Sequence, residues 1–415
     1  MPSLSTPPSR TETRPGRTAT RSLPVLAVLV LALLSAIAPL ATDMYLPGFP
    51  TMADELGTDA ASVQLTLTTF MAGLAIGQLV IGPLSDRWGR RRPLLIGAAV
   101  CVIASALCAV APNVGALIAF RFLQGFAGAA GVVLGRAIVA DTVRGAAAAR
   151  IFSVLMTIGG IAPVVAPLLG GALLGPVGWR GVFVVLTVLA LVMLAGSFFV
   201  LRESLPASAR QGGGLAATFR GARTVLSNRQ FLGYTLAFVF SFGTLFGYIS
   251  ASPFVLQTVF GLSSGWFSVA FAANAAGVTV ASLLNARLVG RFGPRRLLVL
   301  GLGSLATWSF LLFVLAVTGT LALWSVLVLL WLTIFSLGFV MGNATSLAIA
   351  QTPSAAGTGS AVIGAGQFAL AAVVSPLVGL GGEGTAVPMA IVMVVSAVVS
   401  VLALAFLTRG ATSRD

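Results

Sequence analysis

Twelve unalternated apolar stretches, each about 20 residues long, decide what this chain can become. In hydrocarbon every backbone N–H and C=O must be satisfied within the protein, so only helices and closed barrels cross a bilayer. Barrel strands alternate apolar and polar residues, and these stretches do not. They lie near residues 23–46, 63–83, 93–111, 115–139, 150–174, 181–201, 230–250, 266–286, 297–316, 322–344, 356–380 and 386–407. Charged residues make up 8% of the chain against about 25% in soluble domains, which excludes an ordinary soluble protein.

A net charge of +14 invites a nucleic-acid reading, but the positions of the charges argue against one. All 24 basic residues are arginines, and they gather in alternate connections: Arg87 to Arg92, Arg144 and Arg150, Arg202 to Arg229, and Arg287 to Arg296. The two tails carry more. That distribution is the positive-inside pattern, so both termini are expected in the cytoplasm with twelve spans between them. Ala36-Ile37-Ala38 loosely resembles a signal-peptide cleavage site, but the apolar run continues to Leu46. Cys101 and Cys108, seven residues apart on one predicted helix, are too far apart for a disulfide and read as core residues.

The chain repeats itself. Leu84-Ser85-Asp86-Arg87-Trp88-Gly89-Arg90-Arg91-Arg92 aligns with Leu288-Val289-Gly290-Arg291-Phe292-Gly293-Pro294-Arg295-Arg296, half the chain later. Two parallel six-helix halves follow, residues 23–201 and 230–408, joined by a cytoplasmic linker at 202–229. Residues 1–22 are polar and are expected to be a disordered cytoplasmic tail, and 409–415 a second cytoplasmic tail. Histidine is absent, and neither a metal cluster nor a phosphate-binding loop is visible. An enzyme is therefore not expected, nor a cofactor, and an ion gradient must supply the energy.

Asp43 is the one acid inside an apolar run, in Ala38-Pro39-Leu40-Ala41-Thr42-Asp43-Met44-Tyr45-Leu46-Pro47. A carboxylate at membrane depth costs about 2.5–3.5 kcal/mol on insertion scales, and such groups serve proton relay, ion relay or substrate pairing. Arg121, also inside an apolar run, needs an acceptor, and Asp43 is the partner expected for it. Gly89 suits a tight turn and Gly82 a close helix approach. The lipophilic aromatics Tyr45, Phe126, Tyr234, Phe238, Phe242 and Tyr248, with Gln124, are candidates for a substrate cavity.

These motifs resemble the major facilitator superfamily. Gly82-Pro83-Leu84-Ser85-Asp86-Arg87-Trp88-Gly89-Arg90-Arg91 is similar to its signature between helices 2 and 3. Arg121-Phe122-Leu123-Gln124-Gly125 resembles the helix-4 motif of proton-coupled members. Ala162-Pro163 and Ala166-Pro167-Leu168-Leu169-Gly170-Gly171 resemble the helix-5 antiporter motif, and Thr42-Asp43-Met44-Tyr45-Leu46-Pro47 resembles helix 1 of the Bcr/CflA drug:proton antiporters. The resemblance implies a twelve-helix all-α bundle, a monomer in a bacterial inner membrane, exporting a lipophilic compound such as a chloramphenicol-like drug against protons. It also implies a latch of Asp86, Arg90 and Asp141 that joins the halves in the outward-facing state. The same fold admits an exporter of an endogenous sugar or amino acid derivative, or a non-transporting membrane receptor.

Overall fold

The computed structural model describes residues 23–210, 214–379, 381–382 and 384–408. The two predicted tails therefore fall outside the described residues. The first four long helices are α1 (Val25–Asp43), α2 (Ala60–Trp88), α3 (Arg91–Ala109) and α4 (Val114–Thr142). A short helix, Phe49–Leu56, separates α1 from α2.

Next comes one helical run of 56 residues, Gly145–Val200. A straight helix of that length would measure about 84 Å, far beyond the ~30 Å hydrocarbon core. Gly178 breaks it with φ 65° and ψ −178°, a conformation an L side chain disfavours. The arms on either side, residues 145–177 and 179–200, are α5 and α6. The second half holds α7 (Arg229–Phe254), α8 (Ser264–Phe292), α9 (Pro294–Val317), α10 (Leu323–Ala350), α11 (Ala356–Gly379) and α12 (Val387–Leu407). Twelve spans in two halves result. The linker is not featureless: Gly214–Leu226 is a helix that touches both α2 and α11.

Lipid tails are as apolar as leucine, so helices in a membrane associate through close packing rather than through exclusion of water. The α2/α4 pair shows how. A Cβ placed on Gly73 would lie 2.3 Å from the Phe122 carbonyl oxygen, and one on Gly77 2.6 Å from that of Phe126. Gly82 was expected at such a contact and is not: its nearest neighbour, Val133, would be at an ordinary 3.8 Å. The close crossing sits one to two turns earlier along α2.

The halves meet where α2 faces α11 and α5 faces α8. A Cβ on Gly171 of α5 would lie 2.3 Å from Ser268 Oγ of α8. Gln64 Nε2 donates to the Ser250 carbonyl at 3.1 Å, Ser375 Oγ donates to the Gln64 carbonyl at 3.2 Å, and Gln257 Nε2 donates to the Pro47 carbonyl at 3.2 Å. These bonds gather at the face opposite the arginine-rich connections and tie the two halves together there. Deeper in, Thr279 Oγ1 reaches the Gly160 carbonyl at 3.5 Å.

Candidate functional site

Between the halves lies a cavity of ≈ 350 Å³. Asp43 and Thr42 enter it from α1, Pro163 from α5, Tyr248 from α7, Phe271 from α8 and Gln367 from α11. Among the described residues Asp43 is the one acidic or basic side chain on its wall, and it is 4% exposed. The aromatic wall is ordered: Tyr248 stacks on Phe271 at 5.3 Å, and Phe242 meets Phe246 at 5.5 Å and Phe368 at 6.0 Å.

Arg121 is not the partner of Asp43. Its guanidinium is fully buried in the N-terminal half, with Nη1 donating to Gln124 Oε1 at 2.5 Å. Gln124 Nε2 in turn donates to Ser105 Oγ at 2.8 Å. The Tyr45 and Phe70 rings lie 4.4 and 4.1 Å from the guanidinium carbon, and Phe183 lies 5.7 Å away. Nε and Nη2 make no hydrogen bond of good geometry among the described residues, although the Tyr45 hydroxyl interacts with the guanidinium. Ring faces carry negative electrostatic potential and stabilise a desolvated cation by about 2 kcal/mol or more. Asp43 is the last residue of α1, and Tyr45 lies two residues past its end, before the short turn that starts at Leu46, so the two side chains go to different neighbours. Tyr45 covers Arg121, and Asp43 faces the cavity.

The other expected cavity residues divide accordingly. Tyr248 lines the cavity, and so does Phe242. Tyr45 and Gln124 belong to the Arg121 cluster instead. Phe126 packs its backbone against Gly73 and Gly77 of α2. Tyr234 and Phe238 are buried in the core, one to two turns before the part of α7 that reaches the cavity. In the helix-5 motif Pro163 lines the cavity, Pro167 is buried, and Gly170 and Gly171 carry close contacts to Met44 and Ser268.

At the arginine-rich face Arg90 holds the loop between α2 and α3. Its Nη1 donates to Asp86 Oδ1 at 2.5 Å and to Ser85 Oγ at 2.6 Å, and its Nε donates to Asp141 Oδ2 at 3.0 Å. Burial alone would make the Arg90 charge harder to hold, but both carboxylates outweigh it and keep the guanidinium more firmly protonated than usual. All three members lie in the N-terminal half. They fix α2, the loop and α4 to one another and do not join the halves in this state. Arg87 of the motif is exposed.

Glu203 was not anticipated. Its carboxylate accepts the backbone N–H of Arg90 at 2.8 Å, of Arg91 at 3.3 Å and of Leu205 at 3.0 Å. A carboxylate over the first N–H groups of α3 satisfies them and complements the positive end of the helix. Burial raises the Glu203 pKa, yet these N–H groups and Arg210 bring it below the usual glutamate range. Ser204 Oγ donates to Asp141 Oδ2 at 3.1 Å, so the start of the linker is bolted to the loop. The sequence signal was slight: an acid and a hydroxyl directly after the sixth apolar run.

Gly89 is where this loop has no latitude. Its φ of 88° and ψ of 166° lie in a region essentially reserved for glycine, and an added Cβ would fall 2.3 Å from Glu203 Oε2. Gly89→Ala is expected to lower stability by about 1–3 kcal/mol. A thermal midpoint in detergent equal to wild type would contradict this.

The family model described as Major Facilitator Superfamily matches residues 31–376. The chain belongs to the major facilitator superfamily. It is a membrane transporter rather than an enzyme. A "Bicyclomycin resistance protein homolog" of Haemophilus influenzae is 32% identical to it over 92% of this chain and 96% of the relative. A "Multidrug resistance protein MdtL" of Klebsiella pneumoniae subsp. pneumoniae is 31% identical over 79% and 82%. Both agree with the Bcr/CflA resemblance read from helix 1. Among solved structures, a bacterial homologue of the human lysosomal transporter Spinster, inward-facing and unoccupied, superposes with a TM-score of 0.71 at 17% identity, covering 92% of this chain and 95% of that one. That likeness concerns the fold.

Proposed function

We propose that this superfamily member exports lipophilic drugs or antibiotics, chloramphenicol-like compounds among them, in exchange for protons across a bacterial inner membrane. The observation that carries the reading is Asp43: the one acidic or basic side chain on the wall of an aromatic cavity, with no counter-ion among the described residues. The resistance names of its relatives point the same way.

In this reading both termini are cytoplasmic, which puts the arginine-rich face inside. The inter-half bonds of Gln64 and Gln257 then tie the halves together at the outer end, and the cavity belongs to the inward-facing state. Substrate enters while Asp43 is ionised. Rocking of the halves exposes the site outward, Asp43 takes a proton, substrate leaves, and the neutral form resets. Arg121 acts from within its aromatic cluster and orients Tyr45 at the end of α1. With a single carboxylate on the wall, each cycle exchanges at most one proton there. The protein works as a monomer and needs no cofactor.

The test uses inside-out membrane vesicles, whose lumen stands for the cell exterior. Acidifying the lumen is expected to drive chloramphenicol accumulation, and nigericin, which dissipates the pH gradient, to stop it. Accumulation that ignores the gradient would remove proton coupling. No accumulation of chloramphenicol or cationic dyes would favour a metabolite exporter or a non-transporting receptor.

A further inference from the structure

Two side chains on the cavity wall have a proton to donate, Tyr248 and the Gln367 amide, and Tyr248 is the one that a neighbouring side chain holds in place. Thr42 spends its hydroxyl proton on the Ala38 carbonyl at 2.7 Å, and Thr279 spends its own on the Ala275 carbonyl at 3.1 Å. Both can therefore accept from a ligand but not donate to it. Asp43 is an acceptor when ionised.

Tyr248 differs. Its phenolic oxygen accepts a bond from Asn274 Nδ2 at 2.8 Å. Asn274 comes from α8, does not line the cavity and is 4% exposed. A hydroxyl that accepts a hydrogen bond becomes a better donor of its own proton. Ser252, one turn along α7, interacts weakly with the phenol, yet its Oγ forms no hydrogen bond of good geometry, so the phenolic proton has no well-placed acceptor among the described residues. Tyr248 is 1% exposed, and the cavity is the free space it faces. Stacking on Phe271 fixes the ring, and Asn274 fixes the hydroxyl. Gln367 contributes an amide from α11 on another wall.

We infer that Tyr248 is the donor that selects substrates carrying a carbonyl, nitro or ether oxygen on an apolar body, and that Asn274 is the positioning residue that aims it. The inference rests on the efflux reading and adds a substrate chemistry to it. A ligand oxygen accepts the phenolic proton while its body lies among Phe242, Phe271 and Phe368. A lipophilic cation without an acceptor uses the rings and Asp43 and has no need of Tyr248.

The experiment is equilibrium binding of two probes to purified protein: chloramphenicol, which bears nitro and amide oxygens, and tetraphenylphosphonium, which bears no acceptor. Tyr248→Phe and Asn274→Leu are each expected to weaken chloramphenicol about tenfold, the worth of one well-placed hydrogen bond, with tetraphenylphosphonium within about twofold of wild type. The double variant is expected to lose no more than Tyr248→Phe alone, because Asn274 acts through the hydroxyl. Asn274→Ala, which removes the amide donor without adding bulk, is the second variant if Asn274→Leu fails to fold, and it is expected to lose chloramphenicol as well.

Additive losses of about a hundredfold in the double variant would overturn the assignment. So would equal losses for both probes, or Asn274→Ala binding chloramphenicol like wild type. Wild-type protein that binds tetraphenylphosphonium but not chloramphenicol overturns the donor role and leaves efflux standing. Wild-type protein that binds neither overturns the efflux reading and this inference with it.

Discussion

Cells that produce the Asp43→Asn variant are expected to be as drug-sensitive as cells without the protein, although the variant reaches the membrane folded. Asparagine matches aspartate in shape and cannot exchange a proton near neutral pH. It also removes an ionisable group whose insertion costs about 2.5–3.5 kcal/mol, so the variant should be no less stable than wild type. Asp43 makes no hydrogen bond or ion pair among the described residues that the substitution would break. Loss of function with fold retained is therefore the signature of a coupling group, whereas a structural group would show both losses together. The measurement is susceptibility of an efflux-deficient strain at matched membrane levels, with the thermal midpoint of the purified variant beside it. Resistance equal to wild type would end the role assigned to Asp43, since no second acid among the described residues lines the cavity to replace it.

The same residue shows where sequence reading reaches its limit. Twelve spans, two halves and the family are legible because hydropathy and loop charge are one-dimensional signals, each summed over many residues. The Arg90 contacts are legible for a related reason: Asp86 and Arg90 are four apart on neighbouring turns, and a local motif fixes the loop between them. The pairing of Asp43 with Arg121 is a different kind of statement, because it depends on how two distant helices are rotated about their axes. Charge opposition suggests the pair, but α1 ends at Asp43 and the chain beyond it carries Tyr45 over Arg121. Neither that helix end nor the aromatic rings that stand in for an acceptor of Arg121 can be read from hydropathy or charge. Glu203 and Asn274 stayed hidden because each acts on a residue distant along the chain, over 100 residues away for Glu203 and Arg90 and 26 for Asn274 and Tyr248.

Gly125→Val is the substitution expected to damage the fold most. A Cβ on Gly125 would lie 2.1 Å from the Phe70 carbonyl oxygen and 2.8 Å from its carbonyl carbon. Those are backbone atoms of α2, so no rotamer change relieves the contact and the helices must separate. Overpacking of this kind costs about 1–3 kcal/mol and occasionally more, in a bilayer that offers no hydrophobic compensation between helices. The damage extends further, because Phe70 also supplies the ring 4.1 Å from Arg121. Moving α2 outward strips a buried guanidinium of one face of its enclosure when two of its nitrogens already lack a hydrogen bond of good geometry among the described residues. The expected result is aggregation in detergent, or a thermal midpoint lowered by many degrees, read by size-exclusion chromatography and a melting curve. Gly128→Val is the internal control: it lies one turn along the same helix, its Cβ would meet nothing within 4 Å, and the variant should behave like wild type. If both variants melt alike, close α2/α4 packing is not what makes Gly125 necessary. If Gly125→Val alone fails, the glycine that looks like part of a proton-coupling motif is there first to let two helices touch, and the seating of Arg121 follows from that contact.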